Sequence, residues 1–295
     1  MEKVKNPKVS VIIPVYNGER TLRACLHSVL NQTCKNYEVI AVDNNSNDRT
    51  KEIIKDFQAK HRRLKYIFEQ KKGRGAARNA GIMKSKGEII AMTDADCIVP
   101  VDWLEKITMP IIKNNENAAI GSEANFSKDY CSKQIQRQNQ EFRNARCDGK
   151  YINYFDTKNC AFKKDVLSRI GMFNPMLKNS EDSEFGMKIL LEKINIYYLR
   201  DCYVKHIHNM ALHAWMTQQA DRAYWLDKAF RLHRQEMSRL PMPSYNQMGA
   251  KEFFFFFPDA LVSMIFGKQK KDIFFNVMTG MGYRIGIVKS GLKWK

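Results

Sequence analysis

A chain of 295 residues, 44% of them hydrophobic, has the material for one large α/β domain or two smaller ones, which excludes an intrinsically disordered protein. Its 49 basic against 31 acidic residues give a formal net charge of +18, which points to phosphorylated, anionic or membrane-surface partners and says nothing about fold. No run reaches the ~18–20 apolar residues of a spanning helix, the opening MEKVKNPKVS lacks the apolar core of a secretory signal, and the seven cysteines form no Cys-x-x-Cys pair, so a reducing cytoplasm is expected.

From residue 8, short β-branched runs alternate with stretches of helical period. KVSVIIPVYN predicts the first strand. ERTLRACLHSVLNQ places Leu22, Leu26, Val29 and Leu30 on one helical face, and YEVIAV predicts the second strand. NDRTKEIIKDFQAKH and LKYIFE continue as helix and strand. GAARNAGIMKSKG predicts a small-residue helix closed by Gly87, and EIIAMT a fourth strand. This βαβαβαβ order predicts a mostly parallel α/β sheet with flanking helices.

After Asp96 the pattern is less regular. AAIGSEANF predicts a strand, 127–150 is helix-compatible, NCAFKKDVLSRIGMFN reads as a strand and a short helix stopped by Gly171, and SEDSEFGMKILLEK as a helix. INIYYL and CYVKHIH read as two short strands, and from about 210 the chain reads helical.

Open sheets of this kind bind ligands at the carboxyl ends of their strands. The residues there are Pro14 to Asn17, Asp43 to Ser46, Glu69 to Arg74, and Asp94 to Asp96. Two acids at i and i+2 past a strand end can hold a hard divalent ion while a second group meets a ribose, or can be a solvated turn. Arg74 and Arg78 lie in the loop and first turn after strand three, where guanidinium or backbone N–H groups can face phosphates; Lys71 and Lys72 read as solvated. The segment is neither Gly-x-Gly-x-x-Gly nor a P-loop.

Glu181, Asp182 and Glu184 fall at a helix start, where acids meet the helix dipole favourably. Neighbours on a helix diverge by about 100°, so Glu181 and Asp182 cannot act as one; either can face a cleft as a general base while the other anchors the loop. His206 and His208 alternate on a strand, so only one can look into a given site.

VSVIIPVYNGERTLRACLHSVLNQT, YEVIAVDNNSNDRT, GRGAARNAGIMKSKGEIIAMTDADCIVP, NCAFKKDVLSRIGMFN and SEDSEFGMKIL, in that order, resemble glycosyltransferase family 2, inverting enzymes of the GT-A fold; the resemblance covers residues 8 to about 225. It implies a GT-A (Rossmann-like) catalytic domain over 1–210, with a nucleotide-binding half (1–100) and an acceptor half (101–210), and a C-terminal helical extension over 211–295. By the same resemblance Pro14 and Tyr16 begin the nucleotide pocket, Asp43 binds the base, and Arg74 or Arg78 lies near the diphosphate. Asp94 contacts ribose or sugar, Asp96 and His206 hold Mn²⁺ or Mg²⁺, and Asp182 is the catalytic base. The implied partners are a nucleotide diphosphate sugar, with UDP as the nucleotide, and a saccharide or lipid-linked saccharide acceptor. Asn44 stands where relatives carry a second acid, and Lys193 where they commonly turn at a glycine.

The apolar segments 253–266 and 273–288, split by GKQKKD, read either as an interfacial helix pair on an anionic membrane surface or as a lid packed on the catalytic domain. The first would make the protein peripheral at the inner face of the cell membrane. Alternative readings are a nucleotidyltransferase, a nucleic-acid-binding module and a non-catalytic nucleotide-sugar-binding protein. The scattered basic residues disfavour nucleic acid as a partner.

Overall fold

The computed structural model describes residues 8–125, 129–206 and 212–237, with residues 281, 284, 285, 288 and 289. The described residues fall into two compact units, one within Met1–Phe126 and Asn139–His208, the other within Ser127–Gln138 and Asn209–Lys295.

The larger unit begins with β1 (Val9–Val15), α1 (Leu22–Leu30), β2 (Tyr37–Asp43), α2 (Thr50–Lys60), β3 (Leu64–Phe68), α3 (Arg74–Lys84) and β4 (Ile89–Thr93), as the alternation predicts. Next come β5 (Cys97–Ile98), α4 (Trp103–Asn114), β6 (Ala118–Asn125), α5 (Tyr130–Asn144), whose last turns belong to this unit, β7 (Asn159–Lys163), α6 (Leu167–Ile170), α7 (Glu181–Leu191) and β8 (Ile196–His206). All eight strands form one sheet in the order β3-β2-β1-β4-β7-β6-β8-β5. The first four are parallel, β7 runs antiparallel to both β4 and β6, and β8 is parallel to β6.

Both faces of the sheet are covered. Val9, Val11, Ile13 and Val15 point to one side and pack with Leu22, Leu26 and Val29 of α1, whereas Ile12, Ile40 and Val42 point to the other and pack with Ala77, Ala80 and Ile82 of α3. Fully burying each such Val, Leu or Ile side chain contributes about 1.5–3 kcal/mol. Pro14, which has no N–H to donate, lies beyond the last β1–β4 pair, Ile12 with Met92.

The structure corrects two expectations. Gly87 does not close α3, which ends at Lys84 with Ser85 as its extended C-cap; a Cβ on Gly87 would stand 2.6 Å from Ser10 N, so glycine is needed where the chain crosses β1. INIYYL and CYVKHIH are one strand, β8, whose pairing with β6 shifts between Gly121 and Ser122: Gly121 pairs with Leu199 and Ser122 with Tyr203. Ser122 Oγ donates to Arg200 O (2.7 Å), and Asn159 Nδ2 donates to Ser122 O and Cys202 O (both 2.8 Å), which holds the bulge. The less regular stretch after Asp96 also holds β5 and α4, two elements the apolar pattern does not announce.

Gly171 does end α6, at φ +72°. Lys193 takes φ +56°, a left-handed conformation that favours glycine. In the smaller unit α8 (Leu212–Leu232) and α9 (Arg234–Met237) follow, and buried Ile135 and Trp215 pack with Cys131 and Leu212. Among the described residues no helix is long and apolar enough to cross a membrane. His208 and nearly all of 253–288 lie outside the described residues.

Candidate active site

The loops after β1 and β2 are stitched together by hydrogen bonds. Asn17 N–H donates to Ser46 Oγ, and Asn47 N–H to Asn17 Oδ1, both at 3.0 Å; Gly18 N–H donates to Thr50 Oγ1 at 2.8 Å. Tyr16 is left 53% exposed at this rim, with Lys72 Nζ 3.4 Å from its hydroxyl. Asp43, the last residue of β2, is buried; it accepts from Ser46 N–H (3.0 Å) and from Tyr66 Oη–H (3.2 Å). Burial and that carboxylate push the Tyr66 phenol up to about 12.

Asn44 turns inward. Its Nδ2 donates to Glu69 O (3.3 Å) and Lys71 O (2.7 Å), and its Oδ1 accepts from Gly73 N–H (2.8 Å), so a side-chain amide shapes the loop that leads into α3. An acid here would set lone pairs against two carbonyls.

α3 presents two arginines with different surroundings. Arg74, its first residue, is exposed. Arg78, one turn later, is buried and donates to Glu181 Oε1 and to Asp94 Oδ1 (3.2 Å), with its guanidinium carbon 5.8 Å from the centre of the Phe173 ring. Arg78 Nε and Glu181 Oε2 are buried without a hydrogen-bond partner. Burial works against the Arg78 charge, but Glu181, Asp94 and Asp182 together hold its pKa above the ordinary value. Glu181 and Asp182 diverge as the helical period requires. Glu181 is buried against Arg78, while Asp182 stays partly exposed and reaches the same guanidinium with its field.

Asp94 follows β4. Burial pushes its carboxyl up, Arg78 pulls it down, and the neighbouring Asp96 raises it further, for a net upward shift. Asp96 Oδ2 lies 3.1 Å from His206 Nε2, and Cys97 Sγ lies 3.7 Å from Asp96 Oδ1. Burial opposes the Asp96 charge, yet the hydrogen bond from His206 and the nearby Lys158 ammonium bring it below the usual carboxylate range. Cys97 and His206 are cross-strand partners on β5 and β8. One ligand atom from each of Asp96, Cys97 and His206 lies within 4.8 Å of the others, the one such group of three among the described residues. Carboxylate oxygen and imidazole nitrogen are donors that a divalent cation accepts, so these residues fit one.

Sequence reading missed the charged groups behind this cluster. Arg143 lies 3.4 Å from Glu123 and 3.2 Å from Asp156; Lys158 pairs with Glu123 and lies 3.4 Å from Asp156. The four come from β6, α5 and the loop before β7, and no spacing links them. Burial of Glu123 is outweighed by Lys158 and Arg143, which hold its carboxyl well below the usual range.

A mostly parallel sheet covered by helices on both faces, with Asp43 ending β2 and Asp94 and Asp96 following β4, is a GT-A fold. Residues 10–171, more than half of the chain, match the family described as Glycosyl transferase family 2, and the chain belongs to that family. It is similar to glycosyltransferase GlyA of Streptococcus pneumoniae, 36% identical over 121 residues covering 41% of this chain and 17% of that protein. It is also similar to the GalNAc(5)-diNAcBac-PP-undecaprenol beta-1,3-glucosyltransferase of Campylobacter jejuni, 25% identical over 77% of this chain and 65% of that protein. The chain spans 17% to 40% of the length of the first four curated relatives it matches. The mannosyltransferase PcManGT from Pyrobaculum calidifontis, solved with GDP-Man and Mn²⁺, shares the fold at a TM-score of 0.72 and 18% identity, over 98% of this chain and 88% of that one.

Proposed function

We propose that the protein is an inverting, divalent-cation-dependent glycosyltransferase that moves a sugar from a UDP-linked donor to a hydroxyl of a saccharide or lipid-linked saccharide. The observation that carries this reading is the buried bridge from Asp94 through Arg78 to Glu181, which ties the start of α7, and with it Asp182, to the loop that carries Asp96.

Pro14, Tyr16 and Asp43 line the nucleotide pocket in this reading. Asp43 accepts from Ser46 N–H and Tyr66 Oη–H, and the remaining lone pairs of its carboxylate can accept from a base N–H such as uracil N3–H. Exposed Arg74 reaches the diphosphate, whereas Arg78 acts from behind, orienting Asp94 toward ribose or sugar. Asp96 and His206 hold Mn²⁺ or Mg²⁺, which when bound offsets the charge developing on the departing diphosphate. Asp182 takes the proton from the acceptor hydroxyl as its oxygen attacks the anomeric carbon from the side opposite the leaving group, so an α-linked donor yields a β-glycoside. No covalent enzyme intermediate is required.

The catalytic domain is residues 1–210 in this reading, and the tail brings it to an anionic membrane surface at the inner face of the cell membrane, where a lipid-linked acceptor resides. The name of the Campylobacter relative, which includes an undecaprenol-linked acceptor, supports that class. The test is transfer from a panel of UDP- and GDP-sugars with Mn²⁺ to lipid-linked and free saccharide acceptors, with product stereochemistry read by NMR. A retained anomeric configuration would overturn the mechanism.

A further inference from the structure

Cys97 follows Asp96 in the chain and faces His206 across β5 and β8, so two separate backbone relationships aim a thiol, a carboxylate and an imidazole at one point. Cys97 Sγ is turned toward Asp96 Oδ1 at 3.7 Å, although the residue itself is closed off from solvent, and the Asp96 side chain, 44% exposed, leaves a way in from outside. Zinc sites have bonds of about 2.0–2.3 Å, which set neighbouring ligand atoms roughly 3.5 Å apart; here the Asp96–His206 and Cys97–Asp96 distances are 3.1 and 3.7 Å and all three ligand atoms lie within 4.8 Å, so small side-chain shifts would close the trio round an ion. Mg²⁺ gains nothing from a sulfur, whereas thiolate and imidazole together favour a softer ion.

We propose that Asp96, Cys97 and His206 form a three-ligand site selective for a thiophilic divalent cation of the zinc class, which competes with Mn²⁺ or Mg²⁺ for Asp96 and His206 and holds the enzyme inactive. The inference rests on the cation site of the proposed function and adds to it Cys97 as a ligand. Coordination would break the S–H bond, form a metal–sulfur bond and pass the thiol proton to solvent, while the Nε2 proton that His206 shares with Asp96 would move to Nδ1 or to solvent to free the ligating lone pair; nothing is oxidised or reduced. A tetrahedral ion held by three protein atoms keeps one open position. With Cys97 filling a third protein position, such an ion would offer a departing diphosphate fewer positions than a six-coordinate ion on Asp96 and His206 alone, which is the basis of the proposed inhibition.

The test uses the purified full chain. Co²⁺, a spectroscopic stand-in for zinc, is titrated in and followed by absorption, while Mn²⁺ binding is followed in parallel by electron paramagnetic resonance. The wild type is expected to show a thiolate-to-Co²⁺ charge-transfer band that one equivalent of Zn²⁺ removes, and Zn²⁺ is expected to displace Mn²⁺ about 100-fold more effectively than in Cys97→Ser, which loses the band and keeps Mn²⁺. A Co²⁺ complex without the band, or a band that survives in Cys97→Ser, overturns the proposal while Mn²⁺ binding leaves the cation site standing. Binding of neither ion overturns both. If Cys97→Ser fails to fold, X-ray absorption of the zinc-loaded wild type decides: a shell with one sulfur and an imidazole supports the proposal, and a shell without sulfur overturns it.

Discussion

Arg78 on α3 and Glu181 at the first position of α7 stand 103 residues apart in the chain and meet in a buried ion pair. Removing one partner strands the other charge where water cannot reach it. Arg78→Met is therefore expected to cost about 3–5 kcal/mol in urea unfolding, and the double variant Arg78→Met/Glu181→Gln to recover roughly half of that loss. If the two single losses simply added, the pair would not be coupled.

Asp96 and Asp182 have separate roles in the proposed reaction, and their variants should separate likewise. Asp182→Asn is expected to bind UDP within about threefold of the wild type while kcat falls by roughly 10²–10⁴. Asp96→Ala is expected to abolish the dependence of transfer on added Mn²⁺. Titration calorimetry with UDP and an initial-rate assay read both; normal turnover by Asp182→Asn would remove it as the base.

Asn44→Asp changes one atom's chemistry at constant shape. It replaces a donor that serves Glu69 O and Lys71 O with a second acceptor, so loop 69–73 should loosen at a cost of about 1–3 kcal/mol. Thermal unfolding should shift down and donor affinity should weaken together. A variant that binds UDP normally would show that this loop does not shape the nucleotide pocket.

Glu38 supplies a pH-dependent contribution to stability away from the site. Burial disfavours its charge, but Lys65, the Ser10 hydroxyl and the Lys86 N–H outweigh burial and hold its pKa below the ordinary value. Because the folded value is the lower one, the stabilisation is complete above the unfolded carboxylate pKa and is lost as pH falls through the folded value. Glu38→Gln should be less stable at neutral pH and should show a shallower loss of stability below about pH 4. An unchanged acid slope would assign that loss to other carboxylates.

The run from β1 to β4 is legible in the sequence because each strand is buried on both faces and each helix carries an apolar stripe. β5 is not, because two residues carry no period, and α4 is obscured by Pro110 inside it. Arg78 looks like a phosphate ligand from its place near a helix start. The residues three before it and three and four after it, Gly75, Gly81 and Ile82, are all buried, so its helical position already marks an inward face. The meeting of Cys97 with His206 depends on strand register across 109 positions of chain, which no local pattern encodes.

The bulge in β8 carries a further consequence for this chain's tolerance of change. Had the pairing of Gly121 with Leu199 run on unbroken, Tyr203 would stand beside Asn125 and β5, where His206 now stands. Arg200, Asp201 and Cys202 absorb three positions, retracting the strand by about 10 Å at roughly 3.3 Å per residue. Because three is odd, the same detour reverses which way the rest of the strand's side chains point. Losing or gaining a single residue there would swap parity and turn the imidazole to the other side of the sheet, so short length changes at 200–202 should be far less forgiving than substitutions.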